Sequence, residues 1–394
     1  MRRTLSIVLD LTERCNLKCV MCYFSAVDRL RFAPFDRSLS ERGNMPVEVF
    51  EKIAADLFPR AWRVALGCAA EPLVHPAFRD VLAIAGRYRV PDLWFPTNLL
   101  ALTDKTAAAI VDAGVTTVAA SIDGVTRETY EKIRVGGSWD RLLSRLDLLN
   151  EVRRRRRRPR LRVIFTWMRS NRHELRALPA FAAAHGAGEL DVRFVTRTTG
   201  VDVGPELLDG EDPEALRADL RAVAEEAVAR GMRLTSYPEF ETAAERPRSL
   251  AGRWRRRVFR LRAGLERGEH WRHLWRERRN GCAYPGETYV IRPNGAVFPC
   301  IFWEQEPIGF YPEDDLAAIA GGRALARIRD GLVCGRPVGS CSQCGQRRDA
   351  FYRPFRRLLA GPEASPPAAS AQAEDDIEAA AMGAEPTYNQ LSPG

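Results

Sequence analysis

Eight residues near the start carry the densest reactive chemistry in the chain. Cys15-Asn16-Leu17-Lys18-Cys19-Val20-Met21-Cys22 presents three thiols at C-x3-C-x2-C spacing. Thiolates ligate iron–sulfur clusters. A four-iron cluster has four corners, and this loop supplies ligands for three. One iron is then left open, as catalytic metal sites keep a free position. A structural zinc loop with a distant fourth ligand is the alternative, although such sites usually use paired C-x2-C knuckles.

A second cysteine set lies far along the chain. Cys282 is followed after twelve residues by Gly295, and Cys300 comes after four more. The segment Glu287–Phe298 reads as a β-hairpin turning at Asn294-Gly295 between β-branched and aromatic flanks. A hairpin brings its ends together, so Cys282 and Cys300 can share a metal site. Cys341 and Cys344 form a C-x2-C pair that could close it. Structural zinc also suits four such cysteines. Cys334 is either a further ligand or a free thiol. With nine cysteines, an odd number, in two clusters with Cys68 between them, thiol chemistry points to metal or catalysis rather than disulfides.

The elements that must position these groups alternate over the first 200 or so residues. Strand patterns fall at Leu5–Asp10, Arg63–Gly67, Leu93–Pro96, Thr116–Ser121, Leu161–Trp167 and Leu190–Val195. Helix patterns fall between them at Val47–Leu57, Ala77–Tyr88, Lys105–Ala113, Trp139–Val152 and His173–His185, and one more covers Asp212–Gly231. Thr103 is an expected N-cap, and Gly114 and Gly186 are expected just past helix ends. Alternating βα units imply a parallel sheet with right-handed crossovers. Six units are too few for an eight-stranded barrel, so the fold class is α/β: a partial (β/α)6 TIM-like barrel with a small C-terminal β-hairpin-plus-helix domain. Polar residues gather just after the strands: the three cysteines, Glu71, Asn98, Asp123 and Asn171. In parallel α/β folds ligands bind at that edge.

These residues resemble the signature of radical S-adenosylmethionine (radical SAM) enzymes over about residues 4–200. The resemblance implies that Cys15, Cys19 and Cys22 hold a 4Fe–4S cluster whose open iron is chelated by the methionine part of S-adenosylmethionine. Reductive cleavage then yields a 5′-deoxyadenosyl radical that abstracts hydrogen from substrate. Met21 stands where many members carry an aromatic residue. Gly67-Cys68-Ala69-Ala70-Glu71-Pro72 resembles the family's Gly-Gly-Glu-Pro segment, with alanines before Glu71, which would hold the methionine amino group. Thr97-Asn98 and Ser121-Ile122-Asp123-Gly124 resemble its Thr-Asn-Gly and Ser-x-Asp-Gly turns. Glu71, Asn98, Ser121, Asp123, Arg134 and Asn171 are thus the expected cofactor contacts. Arg134 would pair with the methionine carboxylate or serve as an exposed helix arginine. The second cysteine set resembles a twitch module, the shorter form of the SPASM auxiliary module. That implies a second 4Fe–4S cluster on Cys282, Cys300, Cys341 and Cys344. No catalytic side chain beyond these ligands is assigned.

Four parts are expected: a barrel at 1–240, a basic helical linker at 241–280, the auxiliary module at 281–355 and a disordered tail at 356–394. The tail is Ala-, Pro-, Glu- and Ser-rich with little that is apolar. The net charge of +9 invites nucleic acid, but only four of the 60 basic residues are lysine. So arginine-rich a chain reads as genome composition, and nucleic acid is not expected as a partner. Arg153–Arg158 fits a helix C-terminus, where cations are favoured. Leu250–Arg279 mixes eleven arginines with Trp254, Phe259, Trp271 and Trp275, an interdomain bridge or a grip for an anionic partner.

No apolar run approaches the ~20 residues of a membrane span, and the basic N-terminus precedes too short an apolar stretch for a signal peptide. A cytoplasmic enzyme is expected, with a flavodoxin- or ferredoxin-type electron donor. Its substrate would be a small molecule, a sugar or aminocyclitol that is oxidised or epimerised, with the auxiliary cluster accepting an electron. The alternative is a ribosomally made precursor peptide. With Cys15 so near the start, no leader-binding domain is expected before it, and a separate leader-binding protein is the remaining route for a peptide substrate.

Overall fold

The computed structural model describes residues 3–22, 43–154, 158–195, 202–208, 210–237, 282, 284–303, 305–334 and 336–342. Seven strands run in chain order: β1 (Leu5–Leu9), β2 (Ala61–Leu66), β3 (Asp92–Thr97), β4 (Thr117–Ser121), β5 (Arg160–Trp167), β6 (Glu189–Phe194) and β7 (Arg233–Tyr237). Each pairs in parallel with the next. The crossovers carry α1 (Val47–Leu57), α2 (Phe78–Arg87), α3 (Asp104–Asp112), α4 (Arg127–Ile133), α5 (Trp139–Arg153), α6 (Leu178–Ala184) and α7 (Pro213–Ala229).

Local signals explain the boundaries. The Thr103 hydroxyl accepts from Thr106 N at the start of α3, and Thr126 does the same for Thr129 at α4. Gly114 and Gly186 lie at φ +72°, where a side chain is strained. The helix expected over His173–His185 is split into a 3-10 stretch, Arg169–Ala177, and α6. Pro179, in the first turn of α6, has no N–H to continue the ladder. Neither α4 nor β7 was expected from pattern alone.

The expected C-terminal hairpin joins the main sheet through its pairing. The hairpin is present: β8 (Thr288–Ile291) pairs antiparallel with β9 (Ala296–Phe298). Gly295 sits at φ +83°, and a Cβ there would lie 2.3 Å from the Tyr311 carbonyl oxygen. But β8 also pairs in parallel with β1, Ser6 facing Thr288 and Leu9 facing Ile291. With β10 (Gly309–Phe310), the ten strands form one sheet in the order β10-β9-β8-β1-β2-β3-β4-β5-β6-β7. Eight strands, β8 and β1 to β7, are therefore parallel, against the six expected. α8 (Leu316–Gly321) and α9 (Arg323–Val333) follow the hairpin. The expected linker at 241–280, the tail at 356–394, Arg155–Arg157 and Cys344 lie outside the described residues.

One sheet face is apolar. Ile7, Leu9, Val64, Leu66, Leu93, Phe95, Val118, Val163, Phe165 and Val192 are buried against Phe50, Ile53, Leu82, Ile110, Leu142 and Leu146 of the helices. The other face carries the alternate residues, and it is polar. At its N-terminal edge Glu189 binds Arg162 at 2.7 Å and Arg160 at 3.3 Å, and Arg233 as well. Arg63 pairs with Asp92 beside it at 3.3 Å and lies over the Trp94 ring. Cys68, just after β2, interacts electrostatically with Arg193 on β6. Four strand spacings in a flat sheet would separate them by ~19 Å.

Candidate active site

The C-terminal edge of the sheet gathers most of the expected site. The cysteine loop is pinned from two sides. Lys18 N donates to Val135 O and Val20 N to Ile133 O, fastening it to the end of α4. On the other side Glu71 N donates to Arg14 O at 3.1 Å, and Asn98 Nδ2 donates to Asn16 Oδ1 at 2.8 Å. Cys19 is buried, Cys22 half-buried and Cys15 exposed. The three thiols feel one another's charge. Burial pushes Cys19 up to about 11 and raises Cys15, so metal-free thiols here hold their protons. Among the described residues no three His, Cys, Asp or Glu side chains converge as they would on a single ion.

Glu71 is the most unusual group at this edge. It is 2 % exposed. Its Oε1 accepts from Thr97 Oγ1 at 2.7 Å and Leu73 N at 3.1 Å, and its Oε2 from Asn98 N at 2.6 Å. Burial nevertheless pushes the carboxyl up to about 7, because those bonds and distant Arg134 offset only part of the desolvation. Asn98 is buried too, and its Oδ1 caps Leu100 N while its Nδ2 reaches the cysteine loop.

Arg134 is buried, not an exposed helix arginine. Its Nη2 lies 2.6 Å from Asp123 Oδ2 and its Nη1 points at Cys19 Sγ, 3.8 Å away. Burial disfavours its charge, but Asp123 and Cys19 outweigh that and raise its pKa. A guanidinium so placed offsets negative charge on the thiolate side. Asp123 is fully buried, and its Oδ1 accepts from Thr166 N. Ser121 ends β4, half-buried on the same face. Asn171 stands behind the site. Its Nδ2 donates to Asp123 O and Thr166 O, and its Oδ1 accepts from Met168 N. With its side chain spent on the main chain and no exposed surface, it positions Asp123.

The second cysteine set is partly assembled. Cys282 and Cys300 both lie in electrostatic range of Tyr284, and Cys341 packs with Cys282, Ile328 and Leu332 in one apolar cluster. Cys334 is exposed at the end of α9. Cys68, which the spacing did not place, also faces Tyr284 and is solvent-accessible. Asp10 was missed as well. It is buried at the end of β1 and accepts from Cys68 N and Ala69 N. The rule that polar residues follow the strands would have flagged it had the first strand been ended one residue earlier.

The sequence profile of the Radical SAM superfamily matches residues 9–168. Residues 9–168 thus resemble a radical SAM domain. Relatives agree over that part: the tungsten-containing aldehyde ferredoxin oxidoreductase cofactor-modifying protein of Pyrococcus furiosus is 32 % identical over 117 residues, 29 % of this chain and 30 % of its own. GTP 3′,8-cyclase of Listeria monocytogenes is 28 % identical over 145 residues, 36 % of this chain and 41 % of its own. These matches span less than half of either relative. Solved structures match more widely. Streptococcus suis SuiB bound to S-adenosylmethionine aligns at TM-score 0.61 and 16 % identity, covering 84 % of this chain and 71 % of that one. Native anSMEcpe with bound AdoMet aligns at 0.58 and 13 %, covering 90 % and 96 %. The shared fold thus runs beyond residues 9–168. No helix among the described residues is long and apolar enough to cross a membrane.

Proposed function

We propose that this chain is an iron–sulfur enzyme that cleaves S-adenosylmethionine reductively to begin radical chemistry on an organic substrate. One observation carries the reading. The Glu71 carboxyl is buried, takes hydrogen bonds only from the neutral Thr97, Leu73 and Asn98 donors, is raised to about 7 by burial, and stands on the loop tied to the three-thiol segment. A buried carboxylate is stabilised by an ammonium group, the group the methionine end of the cofactor carries.

In this reading Cys15, Cys19 and Cys22 hold the cluster. When bound, it supplies the electron for cofactor cleavage. Glu71 binds the ammonium. Asn98 fixes both the Glu71 carboxylate and the cysteine loop. Arg134 offsets charge at Cys19 while holding Asp123 in place, and Ser121 and Asp123 face the rest of the cofactor. The curved sheet serves as a partial barrel whose concave face excludes water from the reacting groups. A flavodoxin- or ferredoxin-type protein supplies the electron. Cys282, Cys300, Cys341 and Cys344 would hold a second 4Fe–4S cluster, which would supply an acceptor for an electron from the substrate radical. Loss of that electron and a proton gives net oxidation of a sugar or aminocyclitol; epimerisation would instead return a hydrogen atom to the radical and leave the second cluster unreduced.

The second reading is modification of a ribosomally made peptide. It is favoured by the fold-wide likeness to proteins solved with peptides: SuiB with its precursor peptide SuiA and anSMEcpe with the peptide Cp18Cys. Anaerobically reconstituted protein with cofactor and reductant should release 5′-deoxyadenosine and contain close to eight irons per chain. Absence of 5′-deoxyadenosine defeats the proposal. Four irons with stoichiometric zinc would make the second site structural. Mass spectrometry of mixtures offering either peptides or aminocyclitols then separates the two substrate classes.

A further inference from the structure

The loop that ends in Glu71 is not held only by the radical SAM domain. Its first turn hangs on Asp10, whose carboxylate is 2 % exposed at the end of β1. Oδ1 accepts from Cys68 N at 2.7 Å and from Ala69 N at 3.1 Å. Oδ2 accepts from Arg292 Nη1 at 2.5 Å. Arg292 follows β8 directly, and its guanidinium lies over the Phe298 ring, two residues before Cys300. The main chain repeats the link, because Asp10 N donates to Ile291 O at 3.0 Å. One buried carboxylate therefore ties the Glu71 loop to the hairpin between Cys282 and Cys300, through an arginine 282 positions from Asp10.

We propose that Asp10 and Arg292 form a latch through which the hairpin holds the Glu71 loop in its cofactor-binding geometry. The inference rests on the functional reading above and deepens it. Asp10 and Arg292 are positioning residues that touch neither cofactor nor substrate. A carboxylate that accepts two amides is anchored only if its own charge is met. Arg292 meets it in a buried setting where a lone carboxylate is strongly disfavoured. Without Arg292 the carboxylate turns to solvent, and the Cys68 and Ala69 amides lose their acceptor. The loop then samples arrangements in which Glu71 no longer faces the thiol segment. The two cysteine sets are thereby joined mechanically, and order in the hairpin becomes order at the first site.

The test uses the full chain and two readouts. The first is hydrogen exchange followed by mass spectrometry on the metal-free protein. Arg292→Ala should speed exchange in peptides covering residues 67–73 by about tenfold, as for loss of a charge-assisted bond. Arg292→Lys, which keeps the charge, should restore it to within about threefold. Acceleration confined to residues 288–298 overturns the latch. Circular dichroism confirms folding, and Arg292→Gln replaces the alanine variant if that one does not fold. The second readout is cofactor affinity of the reconstituted protein. Asp10→Asn and Arg292→Ala should each weaken it about tenfold, and the double variant should be no weaker than the weaker single one. Additive losses overturn the proposal. Failure of the parent chain to bind the cofactor defeats the functional reading alone, and the exchange measurement still decides the latch.

Discussion

Two buried glutamates on the same sheet face opposite fates. Glu189 begins β6 at the N-terminal edge and is met by Arg160, Arg162 and Arg233. Burial alone would raise its pKa, but the three arginines outweigh it and hold the carboxyl below its ordinary value. Glu71 lies at the C-terminal edge, has only neutral hydrogen-bond donors in contact, and is pushed up to about 7. One edge is electrostatically closed and the other is left open. In parallel α/β folds the N-terminal edge serves stability and the C-terminal edge serves chemistry, and here the division can be read from two carboxyl groups.

The strongest way to sharpen the contrast is to remove a group that serves only the open edge. Cys19→Ala should abolish 5′-deoxyadenosine formation, because three thiolates are the minimum hold on a cluster with an open corner. Its unfolding midpoint in urea, measured without metal, should stay near the parent's. Cofactor cleavage at the parent rate in that variant would end the radical SAM reading.

Next comes Glu71→Gln, which keeps size and loses charge. Affinity for S-adenosylmethionine should fall at least about tenfold, the loss of one charge-assisted bond, as measured by equilibrium binding to the reconstituted protein. Unchanged affinity would mean that the ammonium is held elsewhere. At the closed edge Glu189→Gln should do the reverse. It leaves three arginines poorly matched and should cost about 2 kcal/mol in urea unfolding, discounted because Arg160 and Arg233 are partly exposed. Cofactor affinity should not move. A loss of affinity there would show that the two edges are not independent.

How much of this was legible in the sequence differs between the edges as well. The six expected strands all appear, with ends shifted by no more than two residues, and α1 is Val47–Leu57 as read. Apolar residues at alternate positions make one sheet face unmistakable. The groups after the strands were legible for the same reason, since a polar residue ending an apolar run has few other uses. Pairings were not legible. Nothing in Tyr289-Val290-Ile291 says that its partner is Ile7 and its neighbours, nearly the whole chain away. The ion pairs of Glu189 depend on register across β5, β6 and β7, which one sequence does not display. Arg134 stayed open between a cofactor contact and an exposed helix arginine because its burial arises from the cysteine loop folding back over it.

The finest test follows the two carboxyls through pH. The folded-state pKa of Glu189 is depressed, so its contribution to stability is present above the unfolded value and is lost as pH falls through the folded one. Glu71 has the opposite sign. Its folded pKa of about 7 lies above the ordinary 4.5, so between those values the native state holds a proton that the unfolded chain has released. Stability from this group must therefore fall as pH rises through that window, by at most about 1.4 kcal/mol per pH unit. Subtracting the Glu71→Gln unfolding free energy from the parent's isolates the term. The difference should decline from about pH 4.5 to about pH 7 and then level off. The same subtraction for Glu189→Gln should be flat over that range and fall only in more acidic solution. Saturating cofactor, added anaerobically to reconstituted protein, should flatten the Glu71 term at its upper end, because an ammonium beside the carboxylate lowers its pKa. A Glu71 difference that is flat from the start would mean that the carboxyl already has a charge partner, and the contrast between the two edges would disappear.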